Sequence, residues 1–139
     1  MTLRIVPAIH RATHAVAMLL DRAADLGVTQ AEAHVLSHLA AHGPATVGEI
    51  HQAFGHKRST LTSVLDRLEA RELITREVHA GDRRSFVIAL TRQGRSLATK
   101  ASDHLEQLEA EVRKRFTRAD LDAFDRVVAV VAELASRDR

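Results

Sequence analysis

The run Lys57-Arg58-Ser59-Thr60-Leu61-Thr62-Ser63-Val64-Leu65-Asp66-Arg67-Leu68 holds the residues whose types and spacing best suit chemistry, and that chemistry is recognition of a polyanion. Leu61, Val64, Leu65 and Leu68 recur at i, i+3, i+4 and i+7, the spacing of one buried helix face. The opposite face presents Arg58, Ser59, Thr62, Ser63, Asp66 and Arg67, which carry charge or hydrogen-bonding groups. Its start is anomalous. A helix N-terminus bears positive partial charge and favours an acidic first turn and a Ser, Thr, Asp or Asn cap. Here that end holds Lys57 and Arg58. Cations there are unfavourable by a few tenths of a kcal/mol unless the helix end meets an anion, of which phosphate is the obvious one. The segment reads as a recognition helix for duplex DNA.

Charge agrees once it is divided along the chain. Residues 55–95 hold nine Lys and Arg against five Asp and Glu, whereas residues 1–54 hold three against four and residues 96–139 eight against nine. A basic middle between mildly acidic flanks is the footprint of a polyanion-binding surface. Composition narrows the rest. No cysteine is present, which excludes disulfides, peroxide sensing through a thiolate and Cys-ligated zinc. No apolar run approaches a membrane span, and Pro7, His10, Arg11 and His14 interrupt any signal-peptide core, so a cytoplasmic protein is expected. Ser and His occur, but no catalytic motif frames them, so neither an enzyme nor a cofactor is expected. Apolar residues are mostly Ala, Leu and Val, with no Trp or Tyr and only four Phe, which favours helices over a sandwich.

These residues need elements to position them. A first helix is expected over residues 5–26, striped by Ile5, Ile9, Thr13, Val16, Leu20 and Ala23, with Leu19 and Leu26 beside them and Gly27 as terminator. Thr29 with Glu32, Thr46 with Glu49 and Thr117 with Asp120 have the spacing of capping boxes, which opens three more helices. The second turns Glu32 (through its stem), Val35, Leu36 and Leu39 inward and ends at Gly43-Pro44. The third turns Val47, Ile50 and Phe54 inward and is broken by Gly55, and the recognition helix follows within about three residues, as in a helix-turn-helix. After Arg71-Glu72 the period becomes alternating, predicting strands over 73–78 and 85–90 around an Ala80-Gly81-Asp82 turn. Thr91 caps a long helix to about Phe116, striped by Leu97, Ala101, Leu105, Leu108 and Val112, in which Gly94 counts as a weak residue. The last helix is striped by Leu121, Phe124, Val128, Val131 and Leu134.

Two strands joined by a basic loop directly after a recognition helix form a winged helix-turn-helix. This order of elements resembles the MarR family of bacterial transcription regulators, and the resemblance covers nearly the whole chain. It is carried by Leu61-Thr62-Ser63-Val64-Leu65-Asp66-Arg67-Leu68-Glu69, then Arg76, Asp82-Arg83-Arg84 and Leu90-Thr91-Arg92-Gln93-Gly94, where the family has an Asp-x-Arg wing and a Leu-Thr-x-x-Gly junction. Two positions depart from the pattern: Glu72 stands where the family usually has Gly, and Lys57 replaces its common Ser cap. A left-handed helix exit suits Gly and strains Glu, so a different exit is expected here. The implied fold is mostly α, with an N-terminal dimerisation helix (1–27), a winged DNA-binding lobe (28–95) and C-terminal dimerisation helices (96–139). Apolar stripes on the first, fifth and sixth helices then meet a twin chain, and a homodimer sets two recognition helices on a pseudo-palindromic site. The implied activity is that of a repressor released by a small-molecule effector.

Within that frame the residues divide by role. Lys57, Arg76 and the first-turn amides suit phosphate. Arg58, Ser59, Thr62, Ser63 and Arg67 suit base edges in the major groove, while Thr60 either joins them or solvates the helix. Arg84, with Arg83, enters the minor groove from the wing by resemblance, and Asp82 braces an arginine. His34, His38 and His42 lie at i, i+4 and i+8, and His10 and His14 at i, i+4. Helical His pairs bind zinc, so a zinc-responsive variant is one alternative; solvated histidines without a metal are the preferred one. By resemblance, an effector pocket draws on His14, His34 and His38. A winged helix that binds protein partners instead of DNA is the remaining alternative.

Overall fold

Capping side chains fix where the helices begin. The Thr29 hydroxyl accepts from the Glu32 amide at 3.2 Å while the Glu32 carboxylate accepts from the Thr29 amide at 3.3 Å. The same reciprocal pair forms between Thr46 and Glu49 and between Thr117 and Asp120. The Thr117 hydroxyl, then its backbone amide, holds the Asp120 carboxyl below its ordinary range. The computed structural model describes residues 1–22, 27–55 and 57–137, apart from the side chains of Arg22 and Arg83. Its elements are α1 (Ile5–Arg22), α2 (Gln30–His42), β1 (Ala45–Thr46), α3 (Val47–Phe54), α4 (Arg58–Ala70), β2 (Ile74–His79), β3 (Asp82–Leu90), α5 (Arg92–Arg115) and α6 (Arg118–Ser136). The expected continuation of the first helix through Ala23 and Leu26 lies outside the described residues. Two compact units result, Met1–His104 and Leu105–Arg139.

In the first unit the core joins Val35, Leu36 and Leu39 of α2, Ile50 of α3 and Leu61, Val64, Leu65 and Leu68 of α4 to Leu73, Ile74, Ile88 and Ala98. The sheet is antiparallel, in the order β1-β3-β2. Sequence periodicity missed β1. Its two residues pair with Val87 and Ile88, and a strand that short has no period of its own; its partner defines it. Gly55, at φ 64°, ends α3 in the left-handed region and starts the turn into α4.

The exit of α4 answers the question raised by Glu72. The Leu73 amide donates to the Leu68 carbonyl and the Glu72 amide to the Glu69 carbonyl, both at 2.9 Å, which is a Schellman motif. Glu72 sits at its left-handed position with φ 58°, so the exit keeps the shape that Gly would give, and Glu bears the strain. Replacing Glu72 with Gly is therefore expected to raise the unfolding free energy by about 0.5–1 kcal/mol. Urea denaturation checks this; an unchanged or lower midpoint would show that the turn is not strained.

The junction into α5 is tied to the same turn. Thr91 donates its hydroxyl to the Glu72 carbonyl at 2.7 Å, accepts from the Gly94 amide at 3.0 Å, and gives its own amide to the Leu73 carbonyl at 3.1 Å. Gly94, Ala98 and Ala101 form the buried face of α5. The reading of Gly94 as merely a weak helix residue needs correcting, because a Cβ there would lie 1.8 Å from the Leu73 carbonyl oxygen. In the second unit no residue of α6 is buried, and Val112, Phe116, Phe124 and Leu134 are exposed. Exposed Leu3, Ile5, Val6 and Met18 mark the N-terminal segment likewise. No described helix is long and apolar enough to cross a membrane.

Candidate nucleic-acid interface

The site begins where α4 lacks a cap. Lys57 occupies the N-cap position with no side-chain hydrogen bond to the helix, and the first turn contains no acid. The first amides are thus left to a ligand or solvent. Lys57, Arg58, Ser59, Thr60 and Ser63 are all exposed. Among the described residues no acid lies within ion-pair distance of Lys57 or Arg58. Thr62 is also exposed, but its hydroxyl donates to the Arg58 carbonyl at 2.8 Å and so faces a ligand only as an acceptor.

The wing is a hairpin whose end is shaped by its own side chains. His79 Nδ1 accepts from the Gly81 amide at 3.0 Å, and Asp82 Oδ1 accepts from the Arg84 amide at 2.9 Å. Asp82 therefore braces Arg84 through its backbone amide. Arg84 is exposed and, among the described residues, has no acidic partner. The Arg83 side chain lies outside the described residues.

Two other cations expected at the DNA surface are engaged within the chain. Arg67 Nε donates to Glu32 Oε1 at 2.8 Å, and Glu32 is buried, 3% exposed. Arg71 adds a second cation to the same carboxylate at 3.7 Å and donates to the Gly27 carbonyl at 2.6 Å. Arg76 Nη2 donates to Asp66 Oδ1 at 2.7 Å, with Glu69 3.7 Å from its Nε, too long for a hydrogen bond. These contacts tie α4 to α2 on one side and to β2 on the other. Sequence reasoning saw Glu32 as a cap and an apolar stem, and it missed Arg71 because nothing in the local pattern relates residue 32 to residues 67 and 71.

Among the described residues the histidines do not assemble a ligand set. His14 is exposed, and His38 packs on His42 (ring centroids 4.6 Å apart) and edge-on against Phe54 (5.3 Å). Partial burial, then His42, lower the His38 pKa, against a smaller opposing effect of Glu49. Among the described residues no three His, Cys, Asp or Glu side chains come together as metal ligands. A surface cavity beside α4 is lined by Asp21, Val28, Glu32, Arg67 and Arg71 among others, and none of His14, His34 and His38 lines it.

Residues 26–85, from before α2 to the wing, match the model of the MarR family. The transcriptional repressor NicR of Pseudomonas putida is 32% identical over 81 residues, 58% of this chain and 51% of that protein. The repressor MdtR of Bacillus subtilis is 38% identical over 76 residues, 55% of this chain and 49% of that one. The chain thus spans about half the length of these curated relatives. The fold is shared with Staphylococcus aureus MepR in its DNA-binding conformation, at a TM-score of 0.85 and 21% identity over 95% of this chain and 99% of that one. Residues 26–85 are thus similar to the MarR family from the helix-turn-helix into the wing, within a fold that is shared almost end to end with a solved structure.

Proposed function

We propose that the chain is a sequence-specific regulator of transcription, a repressor, that binds duplex DNA as a cytoplasmic homodimer on a pseudo-palindromic operator and is released by a small-molecule effector. The observation that carries this reading is the division among the cations. Arg67, Arg71 and Arg76 have acidic partners, whereas Lys57, Arg58 and Arg84, at the start of α4 and on the wing, have none among the described residues. Lys57 and the open amides of α4 take phosphate, Arg58, Ser59, Thr60 and Ser63 face base edges, and Arg84 with Arg83 enters the minor groove. Residues 28–95 form the binding lobe. Exposed apolar side chains of segments 1–27 and 96–139 meet those of the second copy. The cavity beside Glu32, Arg67 and Arg71 is the place for an effector.

Selection of binding sites from random duplexes by the wild-type protein tests the reading, with two half-sites about one helical turn apart as the expected yield. Arg84→Ala should then bind the selected duplex roughly tenfold more weakly, with a log–log salt slope shallower by about one. A mobility shift that is weak and insensitive to salt would favour the winged helix as a protein-binding module.

A further inference from the structure

One face of the β2–β3 hairpin starts in the core and does not become polar where it leaves it. Side chains alternate along a strand, so Ile74, Arg76 and Val78 share a face with Leu90, Ile88 and Phe86, which stand opposite them in that order. Ile74 and Ile88 are buried, and Arg76 reaches Asp66 on the outer side of α4. Beyond Arg76 the face enters solvent as an apolar cross-strand pair, with Val78 57% and Phe86 42% exposed. The solvent side of an antiparallel ribbon ordinarily carries polar residues.

We propose that Val78 and Phe86 form an apolar foot of the wing that packs against the deoxyribose edge of the duplex beside the minor groove entered by Arg84. This rests on the DNA-binding reading above. Three observations favour DNA over a protein partner. Phe86 is two residues from Arg84, so the patch adjoins a cation whose side chain has no ion pair among the described residues. The Arg76–Asp66 bond holds this face of the hairpin beside the side of α4 that carries Thr62 and Arg58, one and two turns before Asp66. And two side chains offer at most roughly 200 Å², against the ~800 Å² that each partner contributes to a stable protein interface. Apolar side chains next to minor-groove cations suit sugars and base edges, and such contacts release no counterions.

The test uses the duplex selected by the wild-type protein and compares Phe86→Ala, Phe86→Leu and Arg84→Ala by calorimetric titration across salt and temperature. Phe86→Ala is expected to bind roughly tenfold more weakly, with the salt slope unchanged and a less negative heat-capacity change of binding. Phe86→Leu should recover most of the affinity, which also guards against a folding defect in the first variant. Arg84→Ala should show the opposite signature, a shallower salt slope. Equal affinity and heat-capacity change for Phe86→Ala and wild type would overturn the proposal. So would a fall in oligomeric mass by light scattering with affinity per dimer intact, since the pair would then serve a protein contact. Absence of salt-dependent binding by the wild-type protein would instead remove the DNA reading itself.

Discussion

Gly94→Ala is expected to destabilise the protein by roughly 3 kcal/mol or more, a large fraction of the about 5–15 kcal/mol by which a domain of this size is stable. The sign is what makes the result informative. In an unencumbered helix the same change is stabilising by about 0.8–1 kcal/mol, because Gly has the greater backbone entropy to lose. Here the new Cβ would meet the Leu73 carbonyl oxygen at 1.8 Å and its carbon at 2.8 Å, and these are backbone atoms with no rotamer to adopt. Relief requires α5 to move off the end of α4. That movement breaks the bonds from Thr91 to Glu72 and Leu73 and opens the packing around Leu73 and Ala98. Thermal and urea unfolding of the variant beside wild type decide it, and a midpoint equal to or above wild type would mean that the close approach is absent. Glu72→Gly, one residue before Leu73, should move stability the other way, so the pair reports on a single junction from both sides.

Gly94 also shows where the sequence stopped being legible. Periodicity is a local property, and it correctly gave the buried face of α4, the three capping boxes and the two long strands, because each depends on residues within a turn or two. A glycine in a first turn looks the same whether solvent or a carbonyl lies beside it. Only the fold distinguishes a weak position from an obligatory one. The same limit hid β1, and it hid the partners of Glu32, which stand 35 and 39 residues away. For the candidate site, type and exposure were readable while pairing was not. Lys57, Arg58 and Arg84 are exposed and, among the described residues, their side chains form no ion pair, whereas Arg67 and Arg76, in the same basic stretch, are occupied.

Arg67→Met separates the two roles open to that residue and is expected to lower stability by about 2 kcal/mol while leaving the salt slope of DNA binding unchanged. Met keeps the length and much of the apolar stem of Arg but removes the donor at 2.8 Å from Glu32. The carboxylate, with a side chain only 4% exposed, would be left with Arg71 at 3.7 Å. Breaking a buried pair from one side costs about 3–5 kcal/mol. Arg67 itself is 51% exposed and Arg71 remains, so solvent screening and the second cation reduce that figure. A phosphate contact would behave differently, with little change in the melt and a salt slope shallower by about one. The double variant Glu32→Gln, Arg67→Met adds an internal control: Gln retains an acceptor for the Thr29 amide and carries no charge, so stability should return most of the way to that of Glu32→Gln alone. If Arg67→Met melts like wild type and loses slope instead, the pair with Glu32 is incidental, and Arg67 belongs with Arg58 on the DNA.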